Sequence, residues 1–320
     1  MKILVTGGAG FIGSHFVRKL LTEDSVQKIT ILDNLSYAGR RANMLDFIDE
    51  ARVTFVEGDI NNFELVSELL ADLTHIVNFA AESHVDRSIQ NSSVFVKTNI
   101  LGTHTLLTAA KNRANIRFLQ VSTDEVYGSI DLGEWDETCP LLPNSPYSAT
   151  KASADLLVRS FHITHGLDTV ITRCSNNYGP FQYPEKLIPL SIIRLLNSHK
   201  IEIYGNGMNI RDWLHVSDHC HGIFLALLNG ESGATYNFGG NSEKSNLDIA
   251  RVILDNMNQG MEKIKFVEDR KGHDFRYAVD SSKSRIELGF LPKIDFERGM
   301  ESTIDWYKQN SWWWQEIMAK

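Results

Sequence analysis

The stretch KILVTGGAGFIGSHF, residues 2–16, decides the fold of this chain. An apolar run typical of a buried strand leads into Gly7, Gly10 and Gly13, and a helix-like pattern follows. Glycines at this spacing let the backbone turn tightly and approach a pyrophosphate at the amino end of a helix. The sequence therefore predicts a dinucleotide site where the first strand meets the first helix.

A second strand supports this prediction. The run KITILD ends in Asp33, twenty residues after Gly13, where a carboxylate can accept hydrogen bonds from ribose hydroxyls. Because that carboxylate repels a 2′-phosphate, it favours NAD over NADP, although Arg40 and Arg41 leave NADP open. Asp59 follows the third strand and is expected to reach the adenine amino group.

Strands and helices alternate along the first half of the chain. Strands are predicted at residues 2–7, 28–33, 53–59, 75–80, 117–123 and 168–175. They lie too far apart for hairpins, so they form a parallel sheet with helices on both faces. The predicted fold class is α/β, a doubly wound parallel sheet with a smaller, discontinuous α/β domain in the C-terminal part.

The alternation breaks after about residue 176. We expect a dinucleotide-binding domain over residues 1–175, with a returning segment near 214–242, and a substrate domain over 176–320. Ligands of such folds bind above the carboxyl ends of the strands. The tail holds Trp306, Trp312, Trp313 and Trp314, and we expect its helix to pack on its own domain, with an interface as the alternative.

Composition excludes several classes of protein. The 320 residues carry a formal net charge of -8 with a pI near 5.8, so a general electrostatic footprint for nucleic acid or anionic membrane is absent. The sequence shows neither an apolar run of membrane-spanning length nor a signal peptide, which predicts a cytoplasmic protein. Three distant cysteines without C-x-x-C spacing predict neither disulfides nor a zinc module.

The string NSPYSATKASAD carries the second chemical signal. Ser145 is a suitable N-cap and Pro146 a suitable first helical residue, so Tyr147 and Lys151 lie four residues apart on one helix face. A lysine ammonium near a phenol lowers the phenol's pKa, and Tyr147 can then serve as base or acid.

A third signal ends the strand RFLQVST. Thr123, Asp124 and Glu125 open the string TDEVYG, which sets two acids at a strand's carboxyl end. Together with the first two signals, this string resembles the extended short-chain dehydrogenase/reductase superfamily, and within it the nucleoside-diphosphate-glucose 4,6-dehydratases, particularly those acting on dTDP-glucose. Further strings carry the same resemblance: DNLSYAG, AAESHVDRSI, SNNYGPFQYPEKLIP, IRDWLHV and DRKGHDFRYAVD.

The resemblance covers essentially the whole chain and implies a Rossmann domain holding NAD, a C-terminal domain for a nucleotide sugar, and a homodimer. The implied reaction oxidises C4, eliminates water across C5 and C6, and returns the hydride to C6. Tyr147 and Lys151 fit the oxidation, and Thr123 is expected to hydrogen-bond the same oxygen. Glu125 is assigned as the base at C5, and Asp124 as the acid at the C6 hydroxyl.

These last two roles set two conditions. Asp124 must be protonated while Glu125 is ionised, which burial and mutual repulsion can arrange in a coupled pair. A bend must also aim both acids at the sugar, because successive residues of an extended strand point to opposite sides.

The expected ligand contacts extend along the chain. Arg211 and Arg270 suit two phosphates, and Tyr204 suits a base. The resemblance adds Ser83, Asn176, Lys186, Leu187, Asn246 and His273 at the substrate, and Thr98 and Asn177 at the cofactor; Thr123 completes the substrate set. The residues expected to hold the cofactor are Gly7, Gly10, Phe11, Ile12, Gly13, Asp33, Asn34, Leu35, Ser36, Asp59, Ile60, Phe79, Ala80, Ala81, Ser83, Thr98, Tyr147, Lys151 and Asn177. His84 and His273 lack paired ligands, so no metal site is predicted.

Three alternatives stay open at this point. UDP-glucose differs from dTDP-glucose in its base by one methyl group, which one pocket residue can decide. A nucleotide-sugar 4-epimerase needs the same tyrosine but neither Asp124 nor Glu125. A dinucleotide sensor without catalysis needs none of the acid-base set.

Overall fold

The computed structural model describes residues 1–269 and 272–319. In this part the strands are β1 Lys2–Thr6, β2 Lys28–Asp33, β3 Val53–Glu57, β4 His75–Asn78, β5 Arg117–Thr123, β6 Asp168–Cys174, β7 Asn176–Tyr178, β8 Ile201–Tyr204, β9 Ile210–His215, β10 Thr235–Phe238, β11 Glu243–Ser245 and β12 Ile264–Val267. The main sheet has the order β3-β2-β1-β4-β5-β6-β10, with seven strands that pair in parallel throughout. The predicted doubly wound sheet is confirmed.

The helices cover both faces of this sheet. They are α1 Phe11–Leu21, α2 Phe63–Leu69, α3 Val85–Gln90, α4 Ser92–Phe95, α5 Thr103–Lys111, α6 Pro146–His165, α7 Leu187–Leu196, α8 Val216–Asn229, α9 Asn246–Asn256, α10 Ser282–Leu288, α11 Phe296–Gln309 and α12 Ser311–Met318. None of these described helices is long and apolar enough to cross a lipid bilayer.

Two apolar layers explain the continuous apolar strands. Ile3 and Val5 of β1 lie in a core with α1 and α8, whereas Leu4 lies in a second core with α2, α5 and α6. Because successive side chains of a strand point to opposite faces, a strand covered on both sides is apolar at every position. This burial fixes the sheet and aligns the carboxyl ends of its strands.

A separate core follows in the C-terminal part. Helices α7, α9, α11 and α12 share it, and two small sheets, β11-β9-β7 and β12-β8, lie beside it. The chain also returns to the main sheet, where Thr235–Phe238 pairs with β6. The division into two domains at residue 175 stays a prediction.

Two stretches differ from the sequence-based prediction. Several predicted strands end one to two residues early, because Gly7, Gly58, Asp59, Phe79 and Ala80 turn into loops at the sheet edge. The helical segment ahead of β5 is also not one uniform α-helix. Val96–Gly102 forms a π-helix between α4 and α5, a widened turn that often marks a functional region.

The terminal tryptophans anchor the last helix, as predicted for a tail that packs on its own chain. Trp313 is fully buried, and its indole Nε1 donates to Asn43 Oδ1 at 2.7 Å. Asn43 in turn donates through Nδ2 to Ala9 O at 2.7 Å. The last helix is therefore tied to the glycine loop, whereas Trp312 on the same helix is exposed.

Replacing Trp313 with alanine should destabilise the protein by about 3–5 kcal/mol, because it opens a cavity and orphans Asn43. The matched variant Trp312→Ala should change stability by less than about 0.5 kcal/mol. Urea denaturation followed by circular dichroism measures both. Equal losses in the two variants would contradict the anchoring role of Trp313.

Candidate active site

The carboxyl ends of the main-sheet strands open into one cleft, and the glycine loop forms its floor. A Cβ at Gly13 would stand 2.3 Å from Gly7 O, and Gly7 itself has φ +68°, so only glycine fits either position. Helix α1 begins after Gly10, which gives no side-chain cap, and its first turn holds no acidic residue. The amino end of α1 therefore offers backbone N–H groups to an anion such as a pyrophosphate.

Asp33 lies at the rim of the same cleft. It is buried at the end of β2, where Oδ2 accepts from Ala9 N at 3.0 Å and Oδ1 from Leu35 N at 2.9 Å. Burial raises its pKa, and the two backbone hydrogen bonds oppose that rise. These bonds orient the carboxyl toward the position where ribose hydroxyls are expected.

Helix α6 presents Tyr147 and Lys151 to the cleft. Ser145 caps this helix in a capping box with Ser148, and Pro146 is its first residue, as predicted. Lys151 is buried, and its Nζ donates to Val121 O at 2.7 Å on the neighbouring β5. The helix start thus fixes both side chains against the sheet.

The pKa of Tyr147 runs opposite to the sequence-based expectation. In this structure it lies well above its usual value, because burial and the nearby Glu125 disfavour the phenolate, while a hydrogen bond with Thr123 acts the other way. Burial also lowers the pKa of Lys151. Burial thus disfavours the charged form of both side chains.

The bend that the sequence does not reveal is a 3₁₀ turn. Asp124–Tyr127 forms it directly after β5, and Thr123 caps it by accepting from Glu125 N at 3.3 Å. A hydroxyl hydrogen bond from Thr123 reaches Asp124 Oδ1 at 3.2 Å. Because the chain leaves the extended conformation here, Asp124 and Glu125 both line the cleft.

Asp124 is a strongly perturbed carboxyl. Its side chain is buried, and burial together with the neighbouring charge of Glu125 raises its pKa to about 8, although Arg211 and Thr123 oppose the rise. Its Oδ2 has no hydrogen-bond partner among the described residues. The structure therefore places a carboxylic acid, neutral at pH 7, beside Glu125.

Most of the predicted cofactor residues line this cleft together. The set comprises Gly7, Gly10, Phe11, Ile12, Gly13, Asp33, Asn34, Ser36, Asp59, Ile60, Phe79, Ala80, Ala81, Ser83, Thr98, Tyr147, Lys151 and Asn177. Leu35 differs, because it adopts φ +50° and lines a neighbouring depression with Arg40 and Glu316. Its backbone N–H nevertheless orients Asp33.

The predicted substrate residues divide into two groups. Ser83, Thr123, Asn176 and Lys186 line the cleft. Leu187 begins α7 and packs toward the C-terminal core instead.

The remaining substrate candidates gather near residues 272–277, outside the lining of the cleft. Arg211 is buried and donates to Asp274 O at 2.9 Å, and Tyr204 contacts His273 edge-to-face at 6.3 Å between ring centroids. Asn246 joins them through its backbone N–H, which donates to Asn209 O at 3.0 Å. Arg270 lies outside the described residues.

Several cleft residues were not singled out from the sequence. They include Tyr37, Glu82, Cys174, Gln182, Tyr183 and Glu185. The string DNLSYAG contains Tyr37 and the string YPEKLIP contains Glu185, but only tertiary packing brings them together. Arg87 stacks over the Tyr37 ring at 4.2 Å and pairs with Glu185 at 3.4 Å.

The π-helix supplies another residue that the sequence hides. Asn99 is buried there and bonds both polar groups of the Glu82 backbone, at 2.9 and 3.0 Å, while its Nδ2 also donates to Thr150 Oγ1 of α6 at 2.9 Å. It holds the loop after β4 against the helix that carries Tyr147.

Within residues 1–269 and 272–319, no group of three or more His, Cys, Asp or Glu side chains could hold a metal ion.

The parallel sheet, the glycine loop and the Tyr147–Lys151 helix define an extended short-chain dehydrogenase/reductase. The model of the family described as GDP-mannose 4,6 dehydratase matches residues 4–303. A dTDP-glucose 4,6-dehydratase from an Actinoplanes species is 51% identical over 319 residues, covering 98% of this chain and 100% of the relative. The chain therefore belongs to this 4,6-dehydratase family.

Solved structures show the same similarity. The dTDP-glucose 4,6-dehydratase DesIV from Streptomyces venezuelae, solved with NAD bound, superposes with a TM-score of 0.98 at 49% identity, covering 99% of this chain and 100% of that one. A UDP-glucuronic acid 4-epimerase from Bacillus cereus, also solved with NAD, reaches a TM-score of 0.92 at 30% identity, covering 97% and 99%.

The raised pKa of Asp124 makes stability depend on pH. Between about pH 4 and about pH 8 the unfolded state releases this proton while the folded state keeps it, so wild-type stability falls as pH rises. Asp124→Asn removes this dependence and should gain about 2 kcal/mol or more over wild type from pH 5 to pH 8. Urea denaturation at several pH values measures the gain. A pH-independent difference between Asp124→Asn and wild type would contradict the neutral carboxyl.

Proposed function

We propose that this protein is an NAD-dependent hydro-lyase that converts dTDP-glucose to dTDP-4-keto-6-deoxyglucose and water. The observation that carries the proposal is the burial of Asp124 beside Glu125, which raises the pKa of Asp124, in the cleft that also holds Tyr147 and Lys151. A 4-epimerase uses the tyrosine and lysine alone, whereas a dehydration also needs an acid and a base. The higher identity to dTDP-glucose 4,6-dehydratases, 51% against 30% for the epimerase, supports the same choice.

The cleft fits NAD. The uncapped amino end of α1 suits the pyrophosphate, and the oriented carboxyl of Asp33 suits the ribose of a cofactor without a 2′-phosphate. When bound, NAD would take a hydride from C4 of the sugar and return it to C6, and its nicotinamide would supply positive charge beside Tyr147. The relatives solved with NAD support this assignment.

Tyr147 and Lys151 serve the oxidation. Tyr147, as the phenolate, takes the proton of the C4 hydroxyl as the C4 hydride leaves, so the C–O bond becomes a carbonyl. Lys151, held by Val121 O, keeps a positive charge near that oxygen. Thr123 donates to the same oxygen, and its hydrogen bond with Tyr147 supports this role.

Asp124 and Glu125 serve the elimination. The new ketone acidifies the C5 proton, which Glu125 removes, and the electron pair forms the C5–C6 double bond as the C6 hydroxyl leaves. Asp124 protonates that hydroxyl so that water departs rather than hydroxide. The returning hydride then bonds to C6, and a proton returns to C5, so the product equals substrate minus one water.

The nucleotide and the sugar need different parts of the chain. Lys186 donates from Nζ to Ser83 O at 2.8 Å at the cleft wall, where an ammonium can meet the diphosphate. Arg211 is also near enough to Asp124 to act on its charge. We assign the nucleoside diphosphate to the group formed by Tyr204, Arg211, Asn246 and His273. We also assign NAD binding to residues 1–175 with the 214–242 segment, and binding of the nucleotide sugar to the rest of residues 176–320. We also assign the protein to the cytoplasm, on the basis of its composition.

Incubation with dTDP-glucose in deuterated water, without added oxidant or reductant, tests the reaction. We expect the product to lose one water and carry one solvent deuterium at C5, as read by mass spectrometry and NMR. Tyr147→Phe and Glu125→Gln should each lower turnover by about 10²–10⁴-fold. UDP-glucose serves as the competing substrate. A faster rate with UDP-glucose would show that it, rather than dTDP-glucose, is the preferred substrate. An unchanged mass with the galactose isomer would instead indicate an epimerase, and no reaction with either would favour a dinucleotide sensor.

We propose further that the protein is a homodimer through α6 and the π-helix region. Leu156 and Ile163 lie seven residues apart on α6, and Val94 and Leu101 have the same spacing in the neighbouring segment. All four side chains are exposed, at 42–68% of their full area. On α6, seven-residue spacing places Leu156 and Ile163 on one helix face, and exposed apolar residues of this kind favour a partner.

Sedimentation equilibrium tests the dimer. The wild type should sediment at twice the 36.2 kDa of the chain, and Leu156→Glu should shift it toward the monomer because a charge is costly in an apolar interface. Ile286→Glu is the control, since Ile286 is exposed on α10 away from this surface. A wild-type monomer at micromolar concentration would contradict the proposal.

A further inference from the structure

A fully buried ion pair joins α6, the helix that carries Tyr147 and Lys151, to β6. Asp155 of α6 accepts from Arg173 Nε of β6 at 2.9 Å, and their side chains are 1% and 6% exposed. Removing two charges from water costs about as much as their attraction returns, so such pairs contribute little stability over apolar residues. The position of the pair suggests a role beyond folding.

The ion pair also contacts the acid-bearing turn, Asp124–Tyr127. Arg173 Nη1 donates to Tyr127 Oη at 2.7 Å, and this hydroxyl donates to Asn237 Oδ1 at 2.9 Å. Tyr127 is the last residue of the turn that begins with Asp124. The network therefore connects the turn with the acids to the helix with Tyr147 through fully buried contacts.

Asp155 also acts on Lys151. It lies four residues further along α6, one helical turn away, and its carboxylate raises the pKa of Lys151 against the lowering by burial. The other titratable group acting on Lys151 is the thiol of Cys174 on β6. Tyr147, Asp124 and Glu125 line the same cleft.

We propose that Asp155 and Arg173 are positioning residues for the reaction: the carboxylate keeps Lys151 charged, and the guanidinium fixes the acid-bearing turn against α6. The proposal rests on the proposed function for its kinetic part. A second ion pair shows the contrast. Arg117 at the start of β5 pairs with Asp168 at the start of β6 at 2.9 Å, with Asp168 42% exposed. This pair holds β5 to β6 at the end of the sheet opposite the cleft.

Direct titration of Lys151 tests the first part without substrate. Amine acylation of the protein as purified, followed by mass spectrometry across pH 6–10, reports the fraction of Lys151 that is uncharged. In Asp155→Asn we expect labelling of Lys151 at pH 8 to rise at least about threefold, since a favourable charge is lost. Asp155→Glu should restore the wild-type profile, and Asp168→Asn should leave it unchanged. Equal profiles in wild type and Asp155→Asn would overturn this part.

Kinetics with dTDP-glucose test the same variants during turnover. Asp155→Asn should move the alkaline limb of the kcat profile to lower pH and reduce kcat about tenfold or more, with KM within about twofold, because Lys151 loses its proton earlier. A lower thermal midpoint with an unchanged pH profile would indicate a purely structural pair and overturn the proposal. If the wild type does not convert dTDP-glucose, the proposed function fails, and the acylation result still decides the role of Asp155.

Tyr127→Phe tests the link to the acid-bearing turn with a milder change. It removes one hydroxyl from the network and retains the ring that stacks on Trp135. A looser turn should slow elimination more than oxidation, so the isotope effect on kcat from deuterium at C5 should increase relative to that from deuterium at C4. An unchanged ratio of the two isotope effects would overturn the positioning role of Arg173.

Discussion

The burial of Asp124 beside Glu125 is the constraint on which the rest of the site depends. Two adjacent carboxyls, one of them fully buried, cannot both be ionised at low cost, and burial favours the protonated form of Asp124. A neutral acid beside a base is what an elimination requires, and it is of no use to a reaction that only oxidises and reduces. The surrounding fold can be understood as the means of holding this pair next to Tyr147.

Three local structures meet where Asp124 and Glu125 lie next to Tyr147. The parallel sheet aligns the ends of β1, β4, β5 and β6, the 3₁₀ turn after Thr123 bends both acids into the cleft, and the cap at Ser145 sets the start of α6. Each is fixed by its own hydrogen bonds and apolar contacts. The buried pair of Asp155 and Arg173 joins the last two through Tyr127, so oxidation and elimination share one rigid support.

The fold could be predicted from local patterns because its signals are local. The glycine loop, the apolar strands and the Ser145–Pro146 start each lie within a few consecutive residues. The turn at Asp124, the π-helix that aims Asn99 at Glu82, and the Tyr37–Arg87–Glu185 contact could not be predicted this way. They depend on packing between segments far apart in sequence. The pKa of Tyr147 was expected to fall because of Lys151, but burial and the nearby Glu125 raise it.

Infrared difference spectroscopy of the Asp124 carboxyl tests the central claim most directly. The carbonyl stretch of a protonated carboxyl, identified by its loss in Asp124→Asn, can be followed as pH is raised. The account expects this band to persist at pH 7, to disappear near pH 8, and to disappear at lower pH in Glu125→Gln, where the neighbouring charge is removed. A band that is already lost below about pH 5 in wild type would show an ordinary carboxylate and would contradict the acid role of Asp124.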